Sequence, residues 1–391
     1  MNQIDRAEAF EKAERLARRT WTKLSDLSAK TVEKAKDLGS KARPALGQLA
    51  HRTSALLDTK ITNREEIAEA PSRPIPPPPA SFELPPLGEL RPEVKPISEA
   101  ISRIVIGQER TVRLSLCCFI AGGHLLLDGP PGLGKTTLAQ ALSAVTGRAM
   151  RRIQFTADLM PGDLLGVPIF DQTSRAFVFH PGPVFSQIVL ADEVNRAPPR
   201  AQSALLEAMA EGRVSMDGET HDLPDGFFVV ATQNPLGQIG AFPLPESQLD
   251  RFLMRLHFSY PGRDHERDLL LTGDRRAAAG MLEKTDGPDL RTMAQELDQI
   301  VVGDRVLAYL QDLVDTSRDP ARFRAGLSVR ASLALLTAAK AWAWMHGSVW
   351  VEPDDIQSVF APVAEHRLVG HDGHGAQQGL APSILASTAL S

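Results

Sequence analysis

Cysteines and long apolar runs are scarce in this sequence of 391 residues. Its two cysteines, Cys117 and Cys118, are adjacent in an apolar stretch, so a disulfide framework and a multi-cysteine metal site are both excluded. We expect buried thiols in a reducing compartment. The amino terminus lacks the apolar segment of a secretion signal, and the apolar stretch ALLTAAKAWAWM is interrupted by Lys340 and too short to span a bilayer. These absences predict a cytoplasmic protein without a transmembrane segment.

An excess of basic residues is also lacking. The 43 Lys and Arg are outnumbered by 48 Asp and Glu, which leaves a formal net charge of −5. A dedicated nucleic-acid binder usually presents a basic surface, so this balance argues against one, although local basic patches remain possible. The length of the chain favours two globular units with extensions.

The amino-terminal quarter differs in composition from the rest. Residues 1–70 alternate Ala, Lys, Arg and Glu with scattered apolar positions, which predicts a helical or disordered extension. Docking of this extension to a partner or to an acidic membrane surface is the alternative to a solvated helix. Residues 71–92 contain PSRPIPPPPA and further prolines, which favour polyproline geometry and predict a semi-rigid linker.

Residues 93–261 predict an α/β core with a parallel sheet. Short apolar runs such as HLLL, SQIVLA and FFVVAT alternate there with helical patterns such as PRAQSALLEAMAEG. After Tyr260-Pro261-Gly262 the strand-like runs stop, and the helical patterns of residues 262–370 predict a smaller all-helical domain. Residues 371–391, rich in Gly, His, Ala and Ser, predict a flexible tail.

The stretch HLLLDGPPGLGKTTLAQAL carries a Walker A pattern between a strand and a helix, the context that this motif requires. A glycine-rich turn lets backbone N–H groups approach the β- and γ-phosphates, and the helix amino terminus adds a favourable dipole. Lys135 supplies a mobile positive charge, and Thr136 supplies a hydroxyl for Mg²⁺. We expect ATP to be bound by Gly129, Pro130, Pro131, Gly132, Leu133, Gly134, Lys135, Thr136 and Thr137.

Two polar strand ends complete the predicted site. Asp192 and Glu193 follow a buried run, as in a Walker B motif, and ligands of open α/β sheets bind at the carboxyl ends of strands. Asp192 is expected to hold Mg²⁺ through its water shell, and Glu193 to orient and deprotonate the attacking water. Taken alone, such a pair would indicate only a solvated strand end. Asn234 ends FFVVATQN, and we expect its amide to bond the attacking water and the γ-phosphate, although Asn-Pro is also a turn signal.

Three longer stretches resemble the signatures of MoxR-type AAA+ ATPases, in the branch that carries an insert in the second core helix. They are RIQFTADLMPGDLLG (152–166), LADEVNRAPPRAQSALLEAMAEGRV (190–214) and ATQNPLGQIGAFPLPESQLDRF (231–252). The resemblance covers about residues 95–365. It implies a P-loop AAA+ core followed by a helical lid domain, with ATP and Mg²⁺ used in a homo-oligomeric ring, expected to be a hexamer.

The resemblance also implies roles for three polar residues. Asn234 resembles sensor 1, and Arg251 in LDRF resembles the arginine finger that reaches the neighbouring subunit's site. Such fingers supply roughly 10³ to 10⁵ in rate, so an isolated subunit should hydrolyse ATP slowly. Without the resemblance, Arg251 would be taken for a surface charge. Arg330 in GLSVRASLALL resembles sensor 2, but this chain has Val329 where the family usually has Pro, a change expected to affect the start of the helix.

Two other segments match the family. The sequence VIGQE at 105–109 resembles the segment that packs on adenine, so Gly107 and Gln108 are expected to bind nucleotide; the alternative is a helix start after a turn at Gly107. The stretch DLLGVPIFDQTSRAFVFHPGPVF corresponds to the helix-2 insert, which in a ring faces the axial channel or a partner. From the residues alone, its aromatic side chains predict hairpin packing more than substrate grips: Phe170, Phe177 and Phe179.

For the whole chain, the resemblance implies a motor that remodels, assembles or activates a partner complex, in some cases with metal-cofactor insertion. Its implied partner bears a von Willebrand A domain, which another protein must supply because no DxSxS motif occurs here. The client is unknown. Two alternatives stay open: the motor subunit of a magnesium or cobalt chelatase, and a nucleic-acid motor, which would need a basic channel. A small-molecule kinase would not explain the residues that resemble two sensors and an arginine finger.

Overall fold

The structure is a computed structural model that describes residues 82–216, 218–233, 242–273, 276–282, 284, 292–371 and 379–388. The predicted extension over 1–70, the first part of the predicted linker, and Asn234 lie outside the described residues. Residues 78–391 belong to one compact unit. Within the described ranges, no helix combines the length and the apolar character needed to cross a bilayer.

The core alternates helices and strands, as the sequence predicts. Its helices are α1 (Lys95–Ile104), α2 (Glu109–Ile120), α3 (Lys135–Thr146), α4 (Pro161–Leu165), α5 (Pro199–Glu211) and α6 (Glu246–Leu249). Its strands are β1 (Leu125–Asp128), β2 (Met150–Gln154), β3 (Gly166–Asp171), β4 (Ala176–Pro181), β5 (Ile188–Asp192), β6 (Arg213–Met216), β7 (Glu219–Asp222), β8 (Phe228–Gln233) and β9 (Met254–His257).

A five-stranded sheet of order β2-β5-β8-β1-β9 lies at the centre of the core. Every pairing in it is parallel, which confirms the predicted fold class. Successive residues of β1 enter different apolar clusters, Leu125 and Leu127 on one face and Leu126 on the other, because both faces of a parallel sheet are covered. The strand ends share one edge, where Asp128 pairs with Gln233 and His257. This edge holds the candidate site.

The lid domain is helical after β9. Its helices are α7 (Arg263–Thr272), α8 (Arg276–Gly280), α9 (Asp304–Ser317), α10 (Val329–Met345) and α11 (Pro353–Ala364), with 3₁₀ turns at Thr292–Gln299 and Glu365–Arg367. One short antiparallel pair joins β10 (Phe323–Ala325), between α9 and α10, to β11 (Val369–Gly370), after α11. Cys117 and Cys118 are buried between core and lid, as predicted; Cys117 donates to the carbonyl oxygen of Ala338 in α10 (3.3 Å).

The carboxyl-terminal residues differ from the predicted tail over 371–391. Leu380–Ser387 form helix α12, which buries Ile384 and Leu385 against the lid. Glu365 holds the start of this helix, because its carboxylate accepts three backbone N–H groups at 2.7 to 3.0 Å. The apolar spacing of this helix is clear in the sequence, but the Gly- and His-rich stretch before it obscured the pattern.

The second part of the predicted linker also differs from a free spacer. Residues 82–91 form neither helix nor strand, yet they lie on the folded domain. Arg110 and Arg113 of α2 donate to backbone carbonyl oxygens of this segment. The Arg91 amide donates to the carbonyl oxygen of Met345 in α10 (2.8 Å). The segment therefore contacts both the core and the lid.

Candidate functional site

The phosphate loop connects β1 to α3 and depends on glycine at three positions. Gly129, Gly132 and Gly134 have φ values of 141°, 84° and 96°, in the region that residues with a Cβ rarely adopt. Gly134 directly precedes α3, which begins at Lys135. Because the first N–H groups of a helix have no partner within it, the end of this loop is a ready anion site.

Lys135 extends back across the loop to the sheet edge. Its ammonium group is buried and donates to the carbonyl oxygens of Gly129 and Gln233, the latter at 3.4 Å. Burial lowers the pKa of Lys135, and neighbouring carboxylates, first Asp128 and then Asp192, offset part of that shift. The ammonium group is thus held beside the carboxylates at the strand ends.

Asp192 is the last residue of β5, and both of its carboxylate oxygens accept hydrogen bonds. Oδ1 accepts from the Thr232 hydroxyl (2.6 Å), and Oδ2 accepts from the Arg152 guanidinium (2.6 Å). Asp192 is 8% exposed. Each oxygen has a second lone pair, so the carboxylate can still face water or a hydrated cation.

Glu193 follows in a left-handed conformation with φ of 57°. This conformation costs a residue other than glycine about 1 to 3 kcal/mol and persists only where neighbours hold it. The Thr232 hydroxyl holds it here by accepting the Glu193 backbone N–H (2.9 Å). The carboxylate, just past the strand end, accepts from the Gln154 amide (3.1 Å) and pairs with Arg196 (3.1 Å).

The donor set suits a magnesium ion that arrives with phosphate rather than a resident metal. In the part of the chain that the structure describes, no group of three or more His, Cys, Asp or Glu side chains forms a metal cluster. Mg²⁺ keeps several waters and is usually bound through one or two carboxylates together with substrate phosphates. Asp192 and the Thr136 hydroxyl, at the start of α3, are oxygen groups of the kind that such a site uses.

Gly107 and Gln108 lie at the start of α2, beside a cavity of about 740 Å³. Gly107 lines this cavity together with His265 of the lid and has φ of 72°. Gln108 instead contacts the chain just after β9, where its side-chain amide donates to the carbonyl oxygen of Ser259 (2.9 Å). The cavity size falls in the range of small-molecule sites.

Arg251, predicted to act across subunits, and Arg330, predicted to contact the γ-phosphate, lie on elements other than the phosphate loop. Arg251, between α6 and β9, donates to the carbonyl oxygen of Leu206 in α5 (2.7 Å). Arg330 is exposed in the first turn of α10. The change from Pro to Val329 does not remove the helix start, because the Ser328 side chain caps α10 by accepting the Ala331 N–H (3.1 Å).

Sequence reasoning missed the polar residues that hold the two acidic side chains. Arg152 and Gln154 lie two apart on β2, so they share one face of the strand and reach Asp192 and Glu193 respectively. That alternation was the available signal in RIQF. Thr232 gave no signal, because only strand pairing brings it beside the acidic pair.

The helix-2 insert forms a β-hairpin of β3 with β4, and a second hairpin, β6 with β7, follows α5. Phe179 packs against the second hairpin, stacking on His221 of β7 with ring centres 4.2 Å apart. Phe170 and Phe177 meet edge to face at the other end of their hairpin, yet remain 51% and 72% exposed. The predicted hairpin packing therefore describes Phe179 well and leaves two aromatic rings open to solvent.

We expect Gly129→Ala to destabilise the core more than Gly132→Ala. A Cβ at Gly129 would lie 2.5 Å from the backbone oxygen of Phe258, whereas the same atom at Gly132 meets nothing within 4 Å. Both changes carry the penalty of positive φ, roughly 1 to 2 kcal/mol, so any further loss at Gly129 reports the clash. Thermal unfolding of both variants checks this; equal melting temperatures would contradict it.

Comparison with known proteins places this geometry in a family. Residues 124–254 match the ATPase family associated with various cellular activities (AAA), and residues 316–385 match the AAA lid domain. Chaperone MoxR1 of Mycobacterium tuberculosis is 37% identical over 304 residues, 74% of this chain and 80% of that protein. Protein MoxR of Paracoccus denitrificans is 31% identical, covering 69% and 86%. A crystal structure of an ATPase from Cytophaga hutchinsonii superposes with a TM-score of 0.67 at 34% identity, covering 76% and 95%.

Proposed function

This chain belongs to the MoxR family of AAA+ ATPases, and we propose that it hydrolyses ATP in an oligomeric ring to remodel, assemble or activate a partner protein complex. The ring is proposed to be a homo-hexamer in the cytoplasm. A protein with a von Willebrand A domain is the proposed partner.

Within one subunit, the proposed roles follow the positions of the side chains. The loop from Gly129 to Thr137 cradles the phosphates, with Lys135 as the positive charge. Asp192 and the Thr136 hydroxyl hold Mg²⁺, which when bound neutralises phosphate charge. Glu193 takes the proton of the attacking water, and the contacts of its carboxylate with Gln154 and Arg196 must loosen for that step.

The remaining roles are proposed from the family pattern. Gly107 and Gln108 are proposed to bound the base end of the nucleotide site, with Gly107 lining the cavity that it shares with His265 of the lid. Arg330 senses the γ-phosphate from the start of α10, and Asn234 orients the attacking water. Arg251 is proposed to complete the site of the neighbouring subunit, in keeping with its place on a different part of the core from Lys135.

The exposed β3–β4 hairpin is the observation that most favours a protein client. Between Pro161 and Pro181 the insert contains one Arg and no Lys. Its exposed side chains include Val167, Ile169 and the paired Phe170 and Phe177. An exposed apolar hairpin suits contact with protein. A nucleic-acid channel instead requires a row of basic side chains, and its affinity for nucleic acid falls as the salt concentration rises.

The proposal is tested by measuring which addition stimulates ATP hydrolysis. We expect stimulation by a partner protein that bears a von Willebrand A domain, and its loss in a Phe170→Ser/Phe177→Ser variant that keeps basal turnover. Gln172→Ser/Ser174→Ala, in the exposed turn of the same hairpin, is the matched control. Stimulation by single-stranded DNA that salt abolishes, or by a porphyrin-binding chelatase subunit with stable co-elution, would replace the proposal by one of its alternatives.

We expect Arg152→Gln to lower the Mg²⁺ concentration that gives half-maximal ATP hydrolysis. The Arg152 guanidinium bonds Asp192 through two nitrogens, at 2.6 and 3.2 Å, and so would compete with a cation at this carboxylate. Removing the competitor should shift the Mg²⁺ dependence by several-fold, as expected for a charge-assisted bond of about 1.5 to 3 kcal/mol that is partly exposed. Magnesium titration at saturating ATP measures it. Arg151→Gln, next along β2 and exposed, should leave the titration unchanged; a higher Mg²⁺ requirement in Arg152→Gln would contradict the competition.

A further inference from the structure

A lid residue with no role in nucleotide binding holds the segment that carries Arg251. Arg367 lies in the 3₁₀ turn after α11, and its side chain is 5% exposed. Its Nε donates to the Asp250 carboxylate at 2.6 Å. Asp250 is the residue directly before Arg251, so the guanidinium is bound to the immediate neighbour of the proposed finger.

The same guanidinium also binds the backbone on both sides of Arg251. Its Nη2 donates to the carbonyl oxygens of Asp250 (3.2 Å) and Phe252 (2.7 Å), and its Nη1 donates to that of Leu253 (3.2 Å). A planar guanidinium with donors in a fixed fork can satisfy such an arrangement, and an ammonium group cannot. Three of the four residues from 250 to 253 are therefore fixed to one lid side chain.

Neighbouring lid residues add to this connection. His366 bonds the Phe252 carbonyl oxygen (3.1 Å), and burial lowers its pKa well below the ordinary value, so the ring is neutral and donates from Nε2. Arg324 pairs with Glu246 of α6 (3.4 Å), but both side chains are more than half exposed, so this pair contributes little. The buried contact at Arg367 is the main one.

Arg367 belongs to the same helical domain as Arg330, the residue proposed to sense the γ-phosphate. Burial lowers the pKa of Arg367, the Asp250 carboxylate opposes that shift, and the charge of Arg330 adds to it. Arg330 is thus near enough to be felt electrostatically. A movement of the lid that follows Arg330 carries Arg367 with it, because both belong to the same packed helical domain.

We propose that Arg367 is a positioning residue for Arg251. Through Asp250 and the adjacent carbonyl groups, the lid of each subunit fixes the position of the Arg251 that reaches the neighbouring subunit. This inference rests on the proposed finger role of Arg251. The nucleotide state at one site would thereby be transmitted to the next site in the ring.

The test uses full-length variants and asks in which subunit a defect acts. Asp250→Asn keeps an acceptor but removes the charge, and Arg367→Lys keeps the charge but removes the fork. We expect either variant ring to lose about 10- to 100-fold in kcat, as for a misplaced reacting group, while affinity for a fluorescent ATP analogue changes less than about twofold, since the subunit's own phosphate loop is intact. Arg322→Lys is the matched control, because the Arg322 guanidinium bonds Ser383 and Ser387 of α12 and lies over the Phe323 ring, away from residues 250–253.

The deciding measurement mixes each variant with Lys135→Ala subunits, which have an intact finger and a disabled phosphate loop. We expect activity to rise in the mixture, because the finger defect is complemented by the neighbour. The same mixing experiment is made in parallel with Arg251→Ala subunits. If Arg251→Ala is rescued and Asp250→Asn is not, the lid connection is wrong and the shared site stands; if neither is rescued, the proposed finger fails. Should Arg367→Lys fail to fold, Asp250→Asn, whose side chain is partly exposed, decides alone.

Discussion

Glu193→Gln should bind ATP normally and hydrolyse it about 10²- to 10⁴-fold more slowly, the range for removal of a general base. The amide has nearly the same shape as the carboxylate and can still accept from the Gln154 amide group. Lys135 and Asp192 are unchanged, so the charges around the phosphates and Mg²⁺ remain. The loss should therefore appear in kcat and leave nucleotide affinity intact.

Single-turnover hydrolysis and an equilibrium binding titration separate these two effects. Glu211→Gln is the matched control: Glu211 is exposed at the end of α5 and pairs only loosely with Arg213 (3.6 Å). It should behave as the unchanged protein. Near-normal turnover in Glu193→Gln would remove Glu193 from the chemistry and leave the proposed mechanism without its base.

Arg251→Ala should lower turnover by roughly 10³ to 10⁵, the contribution of an arginine finger, and mixing should restore part of it. Lys135→Ala subunits cannot use their own loop but still carry Arg251. In random rings made from equal amounts, about a quarter of the interfaces join an intact loop to an intact finger. Activity in the mixture should therefore approach that fraction of the unchanged protein.

The mixture is measured as ATP hydrolysis against subunit ratio, with a maximum expected near equal amounts. Arg251 also bonds the Leu206 carbonyl oxygen, so thermal unfolding of Arg251→Ala must first show that the core remains folded. Arg305→Ala, an exposed arginine at the start of α9, is the control and should neither lose activity nor complement. Activity that never exceeds the sum of the two separate variants would argue against a site shared between subunits.

The parts of this site that could be predicted are those set by the local chain. Gly129 and Gly134 adopt backbone conformations that favour glycine, and Lys135 begins a helix directly after them, so the loop can be recognised from neighbouring residues alone. Asp192 and Glu193 follow a buried apolar run, which marks a strand end in any parallel sheet. The strand order then places both features on one edge.

The parts that could not be predicted depend on side-chain pairs between distant segments. Arg152 meets Asp192 across 40 positions of sequence, and Arg367 meets Asp250 across 117. No local pattern marks either pair, because an arginine in a strand or after a helix is most often a solvated charge. Helix α12 was missed for a different reason, since its apolar residues follow a stretch whose composition favours a loose chain.

The segment over residues 82–91 has a mechanical consequence. It is fastened at one end to α2 by two arginines and at the other to the end of α10, where the Arg91 guanidinium stacks on Trp344 at 4.5 Å and pairs with Glu296. Its anchored residues, Pro85, Gly88 and Arg91, are three positions apart, so the chain between neighbouring anchors spans at most about 11 Å. A change in the angle between lid and core would therefore have to strain this segment or break one of its contacts.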